Sequence, residues 1–200
     1  FLKKEDLHKQ VAAMIWGLEM AGVKRSKAKA LNFGALYGGT KYTFARQLGC
    51  SVEEAQETLD RWWAALKVLF QWKRRSEVLA QKNGTINTHF GRPRRVRHYF
   101  SQRKMIGFAK RTAVNTQVQG AGADIVKIGM VKVYDEILSY SANNGRVKLM
   151  SCIHDEMNFS ILNQEPFFTA VCLRIQELMQ FEIPGWEVPM LVDCTIGDSW

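Results

Sequence analysis

Cysteines are few, no apolar run is long enough to cross a bilayer, and over one stretch of forty-six residues there is no acid at all. Cys50, Cys152, Cys172 and Cys194 form no Cys-x-x-Cys pair and have no paired histidine at metal-ligand spacing. That pattern argues against a structural zinc site and for reduced thiols in a cytoplasmic protein. No basic-then-apolar leader opens the sequence, and nothing reaches the ~20 apolar residues a spanning helix needs, so no membrane is expected as a partner. The acid-free stretch runs from Val78 to Ala123 and contains Lys82, Arg92, Arg94, Arg95, Arg97, Arg103, Lys104, Lys110 and Arg111. The whole chain has 28 basic and 19 acidic residues, a net +9. Outside that stretch the charges balance, so one segment carries the entire excess. Such a segment is the footprint of phosphate neutralisation and counterion release, which points to nucleic acid ahead of an acidic protein or a membrane surface.

What is present is a globular chain of 200 residues, 46% hydrophobic and 11% aromatic, enough for one core or for two closely packed lobes. Its most informative stretch is residues 25–38. Read as a helix, it sets Arg25, Lys29, Phe33 and Tyr37 four apart, fanned over about a third of the circumference. Two cations followed by two rings suit a polyphosphate followed by a sugar or base. Helical spacing of rings and cations also describes an ordinary core face with solvated charges, and on spacing alone the two readings are even. Two details favour a ligand. Arg25, Lys27 and Lys29 crowd positive charge at a helix start, where an anion would relieve it. Gly34 and Gly38 weaken the helix by about 1 kcal/mol each, which is tolerable where something approaches the backbone.

Periodicity predicts a helix over 5–21, the stripe helix over 25–38, and a long helix over 52–82 opened by a Ser51–Glu54 capping box. A hairpin of Thr85–Phe90 and Arg94–Tyr99 follows, with Arg95 and Arg97 on one face. Helical pattern resumes near Gln102 and spaces Arg111, Asn115 and Gln119 by four, either an exposed face or a row of donors to a nucleic-acid groove. A further helix is expected from Ala123 to Tyr140. Strands over 147–153 and 157–161 are joined by His154-Asp155-Glu156, which reads as a surface turn or as a carboxylate site for Mg²⁺. A helix from Pro166 to Phe181 and a closing strand over 188–196 complete the pattern.

Three of these stretches, in one order, resemble the motifs of family A DNA polymerases, the group that includes bacterial DNA polymerase I and many phage replicative enzymes. Arg25-x-x-x-Lys29-x-x-Asn32-Phe33-Gly34-x-x-Tyr37-Gly38 is similar to the family's fingers helix. Arg111-x-x-x-Asn115-x-x-x-Gln119-Gly120 resembles the palm helix on the primer-template minor groove, and His154-Asp155-Glu156 the metal-bearing palm hairpin. Asp6-Leu7-His8 and the closing Gly-Asp-Ser-Trp add to the likeness. The resemblance implies an α+β protein in which a mostly helical fingers lobe (1–84) packs on a palm portion (85–200) with a small antiparallel sheet. The basic segment 85–111 and the metal hairpin 147–161 fall in the palm. The thumb and the first metal-binding motif are expected to be absent.

The resemblance also implies roles. Arg25 and Lys29 would neutralise a dNTP triphosphate beside His8, with Lys29 assisting pyrophosphate departure, Phe33 against the sugar and Tyr37 near the new base pair. Asp155 would bind Mg²⁺, one of two ions, with Glu156 a weaker candidate. Arg92, Arg111, Asn115, Gln119 and His154 would contact primer-template DNA. The expected reaction is nucleotidyl transfer from a dNTP to a primer 3′-hydroxyl by a two-metal mechanism. In the family a second metal-binding aspartate precedes the Asp-x-His segment, and none can be placed before His8. The chain is therefore expected to be one piece of a longer, monomeric, cytoplasmic polymerase and not to polymerise alone. Cys152 stands where the family commonly has glutamine. The alternatives are a fragment of a single-subunit RNA polymerase, against which Asn32-Phe33-Gly34 and Glu156 argue, and a non-catalytic nucleic-acid-binding module.

Overall fold

The computed structural model describes residues 6–197. Their contacts divide the chain into two units, one ending at Val118 and the other beginning at Gln119. Helices dominate, and the described strands form two separate two-stranded antiparallel sheets, the α+β class expected.

The first unit opens with α1 (Leu7–Trp16), α2 (Arg25–Leu36), α3 (Lys41–Leu48) and α4 (Val52–Ala65). α1 packs on both α2 and α4, and α3 packs between α2 and α4 in sequence and on each of them in space. Their shared core is built from Val11, Ile15, Leu31, Phe44, Leu59 and Trp62 with small alanines between them. Three of the four helix starts have a side-chain cap, while α2, preceded by Lys24, has none. Asp6 caps α1, Thr40 caps α3, and Ser51 with Glu54 forms a capping box on α4 in which each side chain accepts from the other residue's backbone N–H.

The long helix expected over 52–82 is instead two helices. Leu66, at φ −112° and ψ 49°, breaks it between α4 and α5 (Lys67–Asn83). No glycine or proline causes the break. Leu66 turns its side chain against the core, while its N–H still reaches Trp62 O and its carbonyl still receives Phe70 N–H, so the bend forfeits little hydrogen bonding. Two further expectations change: α1 ends at Gly17, whose φ of 97° no helical residue adopts, and α3 occupies a stretch to which the periodicity assigned nothing.

Gly34 and Gly38 permit close approach, but to protein. A Cβ on Gly34 would lie 2.6 Å from Cζ of the fully buried Phe44, and one on Gly38, at φ 85°, would lie 2.9 Å from the Arg111 stem. Gly34→Ala is therefore expected to destabilise. Overpacking costs about 1–3 kcal/mol, more than the ~1 kcal/mol gained in helix propensity. A lower urea midpoint than that of the parent chain is the check.

The hairpin is shorter than expected: β1 (Thr85–Asn87) pairs with β2 (Pro93–Arg95), Ile86 opposite Arg94. Arg97 does not share a strand face with Arg95. It lies in α6 (Arg97–Phe100) and folds back so that Nη2 donates to Asn83 O at 3.1 Å, placing a cation on the C-terminus of α5. α7 (Ile106–Val133) is one helix where two were expected, and the boundary between the units falls inside it.

In the second unit β3 (Val147–Ile153) pairs with β4 (Glu156–Ile161), with a bulge between Leu149 and Ser151. α8 (Phe167–Met179) covers the pair, and Val133, Val147, Ile175 and Leu178 form the core. Residues 188–196 form no strand. The Val192 carbonyl accepts from the Gln176 side chain at 2.6 Å and its N–H donates to Gln180, so α8 side chains take the groups a sheet partner would need. The four cysteines are free, and burial, with the Cys194 thiol beside it, raises the Cys172 thiol above its ordinary range. Asp198, Ser199 and Trp200 of the terminal motif lie outside the described residues.

Candidate nucleotide and nucleic-acid site

The stripe on α2 forms as expected through its first three members. Arg25 is half-exposed, Lys29 is exposed and Phe33 is 51% exposed, so these side chains are not a core face. Tyr37 caps the helix rather than continuing it, although its N–H still reaches Phe33 O at 3.2 Å.

The crowding of three cations at the helix start is relieved in part by the protein itself. Arg25 Nε donates to Asp6 Oδ2 at 2.6 Å. Lys27 Nζ turns away and donates to Leu48 O, at the C-terminal end of α3, at 2.6 Å. Lys29 alone of the three has no hydrogen bond or ion pair among the described residues. Among the described residues this leaves one exposed cation without a partner, one turn before an exposed ring.

Asp6 joins two helix starts. Its Oδ1 accepts from His8 N–H at 2.9 Å and Lys9 N–H at 3.1 Å while Oδ2 holds Arg25. The Arg25 guanidinium, more than the backbone donors, holds this carboxyl below its ordinary value of 3.8. A depressed carboxyl contributes stability above the unfolded value, and that contribution is lost as pH falls through the folded one. The parent chain should therefore lose thermal stability relative to Asp6→Asn as pH drops from about 5 to about 2, the asparagine keeping the cap but not the charge pair. Melting curves of both proteins across that range are the measurement.

His8 stands beside the stripe, its ring 6.0 Å from that of Phe33 at 54°. Its Nδ1 lies 3.0 Å from Asn32 Nδ2, and Asn32 Oδ1 receives the indole N–H of Trp62 at 2.6 Å. Neither Asn32 nor Trp62 was assigned a site role from the sequence. The partners are 24 and 30 residues apart, and only the packing of α1, α2 and α4 brings them together.

Arg111 and Asn115 lie on the first unit's part of α7 and are exposed, Arg111 with its stem against Gly38. The same stretch of α7 is tied to α5, where buried Ser76 bonds to Gln117. Arg92, Arg94 and Arg95 are exposed on the β1–β2 hairpin, whose loop is closed by Thr88 N–H to Arg92 O and Arg92 N–H to Thr88 Oγ1.

In the second unit Gln119 is exposed on α7. The β3–β4 turn is tighter than expected. Ile153 pairs with Glu156, so the turn is His154-Asp155 alone and Glu156 is the first residue of β4 rather than part of the loop. His154 has φ 55°, a left-handed conformation costly for a residue with a Cβ and concentrated at functional sites. His154, Asp155 and Glu156 are all exposed. Carboxylate oxygens are the right donor class for Mg²⁺, yet among the described residues no three His, Cys, Asp or Glu side chains cluster as a metal site. Asp155 fits as one ligand of a larger set.

The family profile described as DNA polymerase family A matches residues 1–200, and the chain belongs to that family. It is 34% identical to DNA polymerase I of Pseudomonas aeruginosa over 98% of its own length and 31% identical to DNA polymerase I of Caldicellulosiruptor bescii over all of it. The chain spans 21% and 23% of those relatives. Among solved structures it is similar to the POL domain of Pol1 from M. smegmatis in complex with DNA primer-template and dNTP. That match has a TM-score of 0.79 and 28% identity, and covers 94% of this chain and 33% of the other. No described helix is long and apolar enough to cross a membrane.

Proposed function

We propose that this chain supplies the nucleotide-binding fingers and part of the palm of a DNA polymerase, and that it takes part in template-directed transfer of a nucleotide from a dNTP to a primer 3′-hydroxyl. The observation that carries the reading is Lys29: of the three clustered cations it alone is left without a partner among the described residues, beside exposed Phe33. A triphosphate on that face would replace solvent around Lys29 and draw Arg25 into a choice between Asp6 and phosphate. Lys29 then stabilises charge as it develops on the departing pyrophosphate. Phe33 offers a flat wall to the sugar, and Tyr37, at the end of the helix, bounds the base.

Asp155, with Glu156 as a lesser contributor, would be the protein ligand of Mg²⁺. The ion when bound lowers the pKa of the attacking hydroxyl and offsets charge on the transferring phosphoryl group. Arg111, Asn115, Gln119 and His154 donate to primer-template, and a minor groove whose pattern is nearly the same for every base pair suits an enzyme that must copy any sequence.

Arg92, Arg94 and Arg95 serve as phosphate contacts for duplex DNA. Replacing all three by alanine should weaken binding equally for unrelated sequences and reduce the slope of log K against log salt by about 2.7, at about 0.9 per phosphate. Fluorescence anisotropy at several salt concentrations reads both. An unchanged slope would remove the hairpin from the DNA surface.

A further inference from the structure

The Trp62–Asn32–His8 chain contains more chemistry than packing requires. Trp62 is 1% exposed and its indole N–H can only donate, so the Asn32 atom 2.6 Å away must be the amide oxygen. That fixes the orientation of the Asn32 amide. The amide nitrogen therefore faces His8, and an amide nitrogen likewise only donates. Nδ1 of His8, 3.0 Å away, is left as the acceptor. A neutral imidazole with an acceptor at Nδ1 carries its proton at Nε2. One buried indole thus determines, through one amide, which nitrogen of a half-exposed histidine is the donor.

We infer that Trp62 and Asn32 are positioning residues that hold His8 as an Nε2–H hydrogen-bond donor for phosphate oxygen. The use of that donor rests on the nucleotide-binding reading above, whereas the tautomer does not. A phosphate oxygen can only accept at neutral pH and above, so a ring presenting a lone pair at Nε2 would repel it. Without the chain, neutral imidazole divides between tautomers, and part of the population faces the ligand with the wrong atom. Phe33 lies beside the ring, the two centroids 6.0 Å apart.

The test is a long-range ¹H–¹⁵N spectrum of the ¹⁵N-labelled 200-residue chain at pH 8, above the ordinary imidazole range. His8 should show an unprotonated Nδ1 and a protonated Nε2. Trp62→Phe, which keeps a ring in the core but removes the donor, should move both His8 nitrogens toward averaged values. It should also weaken binding of inorganic triphosphate by about twofold, the penalty when about half of the rings present the wrong nitrogen. Asn32→Asp is nearly isosteric and presents two acceptors, one for the indole and one for His8, so it should place a proton on Nδ1 whether or not Trp62→Phe folds. A parent spectrum with the proton on Nδ1, or an Nδ1 signal unmoved in Asn32→Asp, would overturn the assignment. The expected tautomer in a chain that fails to bind triphosphate would support the relay and overturn the nucleotide-binding reading instead.

Discussion

Replacing Asp155 by alanine, in a primer-extending polymerase that contains this segment, is expected to lower Mg²⁺-dependent extension by on the order of 10³-fold or more. Affinity for duplex DNA should stay within about twofold, since no phosphate contact is lost. The hairpin explains the asymmetry. Asp155 sits in a two-residue turn, exposed, beside a histidine held at φ 55°. Glu156 begins β4, paired with Ile153, and its side chain leaves from a strand position fixed by the ladder. The ladder fixes the backbone of Glu156, so its Cα cannot move into the turn position of Asp155 without a slip in register. Glu156→Ala should therefore cost far less than Asp155→Ala, and single-turnover extension rates separate the two.

The second large effect is expected at Lys29. Lys29→Ala should lower the rate of nucleotide incorporation by about 10²–10³-fold, the range seen when one preorganised donor to a developing charge is removed. Arg25→Ala should be milder on incorporation and more damaging to stability, because Arg25 is bonded to Asp6 and through it to the start of α1. Lys29 has no such second duty among the described residues. Pre-steady-state measurements across dNTP concentration distinguish lost affinity from a slowed step, and Lys29→Arg should restore part of the affinity but less of the rate, since a guanidinium is a poor proton donor.

Much of the local structure of the candidate site was legible in the residues alone. The four-residue spacing of Arg25, Lys29 and Phe33 survives folding because a helix preserves it, and the Ser51–Glu54 box and the 147–161 hairpin announce themselves in a few neighbouring positions. The misreadings are tertiary. Leu66 breaks a helix because the core accepts its side chain, with no local punctuation. Two helices were expected over 102–140, yet α7 runs unbroken through Gly120 and Gly122 with Ala121 buried between. Residues 188–196 had the composition of a strand but found the Gln176 and Gln180 side chains instead of a sheet edge. The α3 helix did carry signals, a Thr40 cap and a left-handed Gly49 at its end, but eight residues give periodicity little to work with. Asp6 with Arg25, and Trp62 with Asn32 and His8, join positions 19 to 30 apart, and no spacing rule spans that distance.

The most direct measurement is equilibrium binding of a deoxynucleoside triphosphate to the 200-residue chain, followed by tryptophan fluorescence, with Lys29→Ala beside it. The native chain should bind, and the variant should bind about tenfold more weakly, corresponding to about 1.4 kcal/mol from one charge-assisted contact. Equal affinity in the two proteins, or no binding by the native chain, would contradict the assignment of the α2 stripe as the triphosphate site.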